Sequence, residues 1–176
     1  VRMLYGARVS LIVGVVAVAV AGTAGVVAGL LMGYRGGWLD RLGSRLVDVQ
    51  LSFPFMALAL SMAAVLGASL TGIVATLAIS SWVLYARLVR GEALALRQQE
   101  FVEAARTLGA PAWRILLRHV LPNVIGPAIA LGSLEAGRLI VAESSLSFLG
   151  YGIQPPLPAW GNMLAEGKDY MARAWW

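Results

Sequence analysis

Residues 9–32 read VSLIVGVVAVAVAGTAGVVAGLLM, a run of 24 residues without a charged side chain. An α-helix needs about 20 apolar residues to cross a hydrocarbon core of about 30 Å. The run is longer than the apolar segment of about 7–15 residues found in signal peptides. It is followed by Tyr34, Arg35 and Trp38, which are residue types that favour the membrane interface. The sequence therefore predicts a first membrane span over residues 9–32.

The composition of the whole chain indicates lipid as its solvent. Of the 176 residues, 59% are hydrophobic and 13% are charged, against about 45–50% and about 25% in soluble domains. A soluble globule of this size could not bury so much apolar surface. The net charge of +5 is typical of arginine-rich cytoplasmic loops, so we expect no nucleic-acid partner. The chain has no cysteine, which excludes disulfides and thiolate metal sites.

A long uncharged segment predicts two further spans. Between Asp48 and Arg87 no charged residue occurs for 38 positions, which as one helix would be nearly two bilayer cores in length. The small and polar residues 67–72 favour a break. We therefore predict a second span over residues 49–66 and a third over residues 70–86.

The fourth predicted span, residues 120–142, is interrupted by two charged side chains. Glu135 and Arg138 are one helical turn apart, which suits a local ion pair near the outer interface. The alternative is that they line a transport pathway, because charges at bilayer depth are costly and often functional. Residues 143–176 contain many serines and prolines and are predicted to form an irregular outer loop.

The positions of the arginines predict the topology. Nine of the 14 basic residues lie in two loops, residues 33–50 and residues 87–118. Because such residues collect on the cytoplasmic side, we place both loops there and the tail from Glu143 outside. The chain is interpreted as a single transmembrane domain over residues 1–176, with a cytoplasmic loop over residues 87–119.

That loop carries a helical pattern. Apolar residues at i, i+3, i+4 and i+7 form one stripe, namely Phe101, Ala104, Ala105 and Leu108, with polar residues opposite. Gly109 is a typical helix stop, and Pro111 suits the first turn of a second helix. The second helix has its own apolar stripe, namely Trp113, Leu116, Leu117 and Val120. Amphipathic helices of this kind commonly lie on lipid headgroups.

A more specific interpretation comes from the spacing of individual residues. Glu103-Ala104-Ala105, then Gly109, His119 and Leu121-Pro122 resemble the EAA loop of binding-protein-dependent ABC importer permeases. His119 stands where that family usually has an aliphatic residue. The run Arg118–Asn123, which reads RHVLPN, is similar to the version in the dipeptide, oligopeptide and nickel branch.

The resemblance extends over nearly the whole chain. Residues 5–11, 33–38 and 85–91 are similar to the ends of helices in these permeases, and residues 143–161 to the outer segment before the last helix. The resemblance implies an all-α polytopic membrane bundle of the type I ABC importer fold, with about four spans and a coupling helix. It also implies that residues 1–176, from Val1 to Trp176, hold the middle four of six helices.

The resemblance implies roles for seven residues of the loop. The helix around residues 101–109 would be the coupling helix that docks on an ATP-binding subunit. The residues expected to serve this coupling are Glu103, Ala104, Ala105, Leu108, Gly109, Leu121 and Pro122. No catalytic residue, cofactor or metal is expected on this chain, because its single lysine, Lys168, follows no glycine-rich phosphate loop.

The same resemblance implies partners and a location. Expected partners are a second homologous permease, two ATP-binding subunits that carry ATP and magnesium, an external substrate-binding protein and the lipid bilayer. The location is the cytoplasmic membrane of a bacterium or archaeon, with several passes. Di- or oligopeptides are the expected substrate, with nickel as the alternative.

Two other classes of protein are compatible with parts of this sequence. An ion-driven carrier or channel could use Glu135 and Arg138 as gating charges, but it gives no reason for the long patterned loop. An intramembrane enzyme could use Ser144, Ser145 or His119, but the histidine and the serines lie at opposite ends of one predicted span. For His119 itself, a packing or interfacial role is favoured over a metal site, because no second histidine or cysteine accompanies it.

Overall fold

The computed structural model of the chain describes residues 2–154, 156–168, 170, 171 and 173. The expectations that involve Val1, Pro155, Asp169 and residues 174–176 lie outside the described residues. Every regular element in the described part is a helix, which confirms the all-α class. That the chain forms a single domain stays a prediction.

The helices follow one another with short connections. In chain order they are α1 (Arg2–Arg35), α2 (Gly37–Leu51), α3 (Phe55–Leu66), α4 (Leu70–Leu96), α5 (Glu100–Thr107), α6 (Ala112–Ile115), α7 (Leu121–Phe148) and α8 (Trp160–Lys168). A π-helical turn, Leu116–Val120, joins α6 to α7 without interruption.

Three helical segments in the described part of the chain are long and apolar enough to cross a membrane. They are α1, α4 and the continuous segment Ala112–Phe148. α2 and α3 meet the same criterion only as a pair, and the chain bends by 95° at the break between them. The described helices therefore supply three candidate spans, or four if the bent pair crosses as one.

The second span predicted over residues 49–66 does not form one continuous helix, and whether these residues cross the membrane stays a prediction. α2 ends at Leu51 and α3 begins at Phe55, with Pro54 as the residue that caps α3. Proline has no N–H for a helical hydrogen bond and disfavours the helical conformation of the residue before it, here Phe53. The uncharged run is thus divided at Pro54 as well as at Gly67. Gly67 follows the end of α3 and has a φ of 82°.

The ends of the other helices also differ from the sequence-based bounds. α1 and α4 continue beyond residues 9–32 and 70–86, since the first charged residue does not end a helix. The irregular loop expected over residues 143–176 is wrong in two places, because α7 continues to Phe148 and α8 lies beyond it. Within α7 the hydroxyl of Ser145 donates to the carbonyl of Val141, 2.9 Å away and four residues earlier.

The described residues form two compact units. The first comprises the described residues within 1–19, 54–80 and 134–176, and the second comprises residues 20–53 and 81–133. The core of the first unit includes Val13, Leu77, Leu139, Leu146 and Ile153. The second unit contains both arginine-rich loops, residues 33–50 and 87–118.

Glycines bring α1 and α4 unusually close in the second unit. Gly25, Gly29 and Gly33 are spaced by four residues and therefore share one face of α1. A Cβ atom at Gly29 would lie 2.7 Å from the carbonyl oxygen of Ala86 and 2.8 Å from the Cβ of Val89. Small residues at such spacing are typical of close helix contacts in membranes.

We expect Gly29→Ala to destabilise the protein, because the new methyl group would collide with the backbone of α4. Overpacking of this kind costs about 1–3 kcal/mol, and a chain of this size loses about 2–4 °C in Tm for each kcal/mol. Thermal unfolding in detergent measures the change. Gly126→Ala is the matched control, because a Cβ there meets nothing within 4 Å. Equal Tm values for the two variants would contradict the close packing of α1 on α4.

Candidate functional site

The turn that follows α5 is built around Gly109. The N–H of Gly109 donates to the carbonyl of Arg106, and the N–H of Ala110 donates to the carbonyl of Ala105, both at 3.0–3.1 Å. This pair of bonds with a left-handed residue after the C-cap is the Schellman motif. Gly109 has a φ of 80°, and a Cβ there would meet nothing within 4 Å. The glycine is therefore required for its backbone conformation rather than for space.

The buried face of α5 is fixed to the start of α7. Val102 has no exposed surface and packs in one core with Ile115, Val120 and Val124. The same core takes in residues of α1 and α4, namely Leu30, Tyr34, Val89 and Ala93. Within the second unit, α5 thus packs on the parts of α1, α4 and α7 that this unit contains.

The opposite face of α5 is open. Leu108, which caps the helix, is 88% exposed and Phe101 is 45% exposed, while Glu103 and Ala104 are also exposed. We call Phe101, Glu103, Ala104 and Leu108 the open face. Of the predicted apolar stripe, Ala105 alone is half-buried in the core, and the residue that anchors the helix, Val102, was not part of that stripe.

In the second helix of the loop, the buried residues are likewise not the same as those of the predicted apolar stripe. Ile115 and Val120 are buried, Leu116 is half-buried, and Trp113 is 60% exposed. The two predicted residues at the start of α7 lie next to each other, with Leu121 half-buried against the core and Pro122 exposed. All seven residues expected to serve coupling therefore lie in the second unit, five of them in the loop and two at the start of α7.

A comparison with known protein families finds a match over most of the chain. Residues 25–174 match the family described as the inner membrane component of binding-protein-dependent transport systems. The chain belongs to this family.

Relatives within the family are similar over nearly the whole of the chain. It is 43% identical to the glutathione transport system permease protein GsiD of Pectobacterium atrosepticum, over 98% of the chain and 58% of that protein. It is 41% identical to the dipeptide transport system permease protein DppC of Alkalihalophilus pseudofirmus, over 99% of the chain and 58% of that protein. It is 45% identical to GsiD of Escherichia coli, over 98% of the chain and 57% of that protein. The chain thus spans less than three fifths of the length of these relatives.

In this inner membrane component, an ion pair joins the two arginine-rich loops. The guanidinium of Arg90 in α4 donates from Nε and Nη2 to the two oxygens of Asp40 in α2, with an Nη2–Oδ2 distance of 2.9 Å. This hydrogen-bonded arginine lowers the pKa of Asp40 below its ordinary value, against the opposing effect of desolvation. Arg97 also donates to the carbonyl of Tyr34, at 3.4 Å. The ion pair holds α2 to α4, and the Arg97 contact holds the residue after α4 to the end of α1.

The pair Glu135 and Arg138 lies in the first unit. Arg138 Nη2 is 3.1 Å from Glu135 Oε2, and the guanidinium lies 4.2 Å from the ring centre of Phe55. Glu135 is buried while Arg138 is partly exposed. The local ion pair is thus present, and a role of these residues in a transport pathway stays a prediction.

Glu143, which the sequence predicted at the start of the outer loop, lies within α7. Glu143 has no exposed surface. It accepts hydrogen bonds from the hydroxyls of Ser10 in α1, at 2.8 Å, and Ser147, at 2.7 Å. The hydroxyl of Ser147 in turn accepts from the N–H of Ile153, at 3.2 Å. The carboxylate therefore ties α1, α7 and the segment after α7 together, which no local pattern could have indicated.

We expect Glu143→Ala to destabilise the protein more than Glu143→Gln. Alanine leaves the hydroxyls of Ser10 and Ser147 without their acceptor, at a cost of about 1–3 kcal/mol for a buried polar group. Glutamine keeps one acceptor oxygen. Thermal unfolding in detergent measures both, with Ser145→Ala as a control because that hydroxyl donates within its own helix. The network does not stabilise the fold if all three variants unfold at the wild-type temperature.

Proposed function

We propose that this chain is part of the pore-forming permease subunit of an ATP-driven importer, and that α5 is its coupling helix. The observation that carries the proposal is the construction of α5, which has one face buried in the core and one face open. Phe101 and Leu108 are large apolar side chains exposed on this one face of α5, and exposed apolar patches are typical of surfaces that meet a partner. The membership of the chain in a binding-protein-dependent transport family supports the same function.

The partner proposed for the open face is an ATP-binding subunit. Glu103 offers a carboxylate to a cation or an N–H of the partner, and Ala104 allows a close approach of the two backbones. Because Val102 fixes α5 to the start of α7, a movement of the partner would reach the membrane helix without loss in a flexible linker. ATP and magnesium would be bound by that partner, and the chain itself would perform no chemical reaction.

The remaining partners follow from the proposed importer. A second homologous permease would complete the pore, a second ATP-binding subunit would serve it, and an external binding protein would deliver the substrate. The protein would lie in the cytoplasmic membrane of a bacterium or archaeon. The arginine-rich loops of the second unit would face the cytoplasm.

The proposed substrates are small peptides. The relatives at 41–45% identity carry names that specify dipeptide or glutathione transport, and glutathione is itself a tripeptide. Nickel, the alternative from the sequence, has no counterpart in those names.

We expect a single cysteine at Leu108 to crosslink to a co-expressed ATP-binding subunit in the assembled complex. The natural chain has no cysteine, so the new thiol is unique in it. A cysteine at Leu164, which is also exposed but lies in the first unit, is the control and should not crosslink. Absence of crosslinks from every position between Phe101 and Ala112 would rule out α5 as the coupling helix.

We expect Glu103→Lys and Gly109→Leu to lower transport in the complete complex. The lysine reverses a charge on the open face, and the leucine must adopt the left-handed conformation at a cost of about 1–2 kcal/mol. Since about 1.4 kcal/mol is a factor of ten, losses on the order of tenfold are expected. Gly126→Leu is the matched control, because that position is open and has an ordinary φ. Wild-type transport and subunit association in both loop variants would refute their roles.

We expect labelled di- and tripeptides to enter proteoliposomes that contain the complete importer and its binding protein, in the presence of ATP. Uptake should be reduced by unlabelled peptide and unaffected by nickel ions. The control is the same preparation without ATP. ATP-dependent uptake of nickel without uptake of peptide would replace the proposed substrate with the alternative one.

A further inference from the structure

The connection between α6 and α7 is not an ordinary α-helix. In the π-helical turn Leu116–Val120, the N–H of Leu121 donates to the carbonyl of Leu116, five residues earlier. Such a turn holds one residue more than the α-helical path, and π-helical turns are frequent at functional sites. Conversion of the turn to α-helix would rotate the following residues by about 100°, the angle of one helical residue.

The residues after the turn explain why it forms here. Pro122 has no N–H, and in an α-helix its ring would collide with the carbonyl of Arg118, four residues earlier. The side-chain amide of Asn123 donates to the carbonyl of His119 at 2.6 Å. Pro122 thus cannot donate a backbone hydrogen bond at the start of α7, and the side chain of Asn123 occupies the carbonyl of His119. Both effects bring the α-helical and π-helical forms closer in free energy than they are in an uninterrupted helix.

One aromatic contact joins this turn to α5. The imidazole of His119 and the ring of Phe101 have centres 6.3 Å apart and planes inclined by 45°. This geometry is in the attractive range for aromatic pairs. Phe101 is partly exposed on the open face, whereas His119 is half-buried in the turn. A partner that displaces Phe101 therefore acts on the π-helical turn directly, beside the aliphatic core around Val102.

We propose that His119 is a positioning residue through which α5 sets the conformation of the turn Leu116–Val120. In this proposal the turn changes between its π-helical and α-helical forms during transport, and the ring contact links that change to the movement of α5. The inference rests on the proposed function, because it takes α5 as the element that an ATP-binding subunit moves.

The test uses the complete importer in proteoliposomes and three variants. His119→Ala removes the ring, His119→Phe restores one, and Leu117→Ala removes an exposed side chain from the same turn. The readout is the number of peptides transported per ATP hydrolysed, together with co-purification of the ATP-binding subunits. We expect His119→Ala to keep co-purification and ATP hydrolysis while peptides per ATP fall by at least about fivefold, the lower end of typical coupling between sites. His119→Phe and Leu117→Ala should stay near wild type.

A second measurement needs no variant. Amide hydrogen exchange of residues 116–121 in the wild-type complex should differ between the ADP-bound and ATP-bound states, because the two helical forms bond different carbonyls. Equal exchange in the two states overturns the proposal. It is also overturned if His119→Ala transports as many peptides per ATP as the wild type, or if His119→Phe loses as much of this ratio as His119→Ala. Absence of crosslinks from every position between Phe101 and Ala112 instead contradicts the proposed coupling helix, so the two proposals fail separately.

Discussion

The burial of Val102 together with Ile115 determines what α5 can do. A helix of eight residues is too short to be stable by itself in water, and its backbone bonds persist because one of its faces is covered. The residues that pack on this face come from the ends of α1 and α4 and from the start of α7. α5 is therefore stable only as part of that core, and it moves with the core rather than on a flexible tether. The open face can then be specialised for binding, since it contributes little to folding.

The parts of this structure that could be predicted are those that depend on local chemistry. The stop at Gly109 and the new helix after Pro111 follow from backbone conformations that few other residues adopt. The side of α5 that is covered could not be predicted, because a periodic pattern identifies apolar positions without showing which of them meet the core. Phe101 and Leu108 belong to the predicted apolar stripe of α5 and are exposed, whereas Val102 lies outside that stripe and is buried. The break at Pro54 was missed because counting uncharged residues gives proline no weight.

Two carboxylates, the half-buried Asp40 and the buried Glu143, show a further limit of sequence reasoning. Asp40 is paired with a cation fifty residues away, and Glu143 is bonded by a hydroxyl from a helix at the other end of the chain. A charged hydrogen bond stabilises the ionised form and resists desolvation, whereas hydroxyl donors compensate only for part of the lost hydration. Both arrangements depend on tertiary contacts, so neither carboxylate stands out in the sequence from an ordinary solvated residue.

The bend between α2 and α3 has a consequence for the medium around it. A helix ends with carbonyl groups that have no partner inside the helix. At the end of α2, N–H groups of Ser52 and Phe53 serve three of these carbonyls, whereas Pro54 has no N–H and adds no further donor. Ser52, Phe53 and Pro54 are all exposed on this chain. Hydrocarbon cannot solvate such groups, so a turn of this kind at membrane depth requires water or a protein neighbour. Beside residues 52–54, water or another protein surface is therefore a more favourable neighbour than acyl chains.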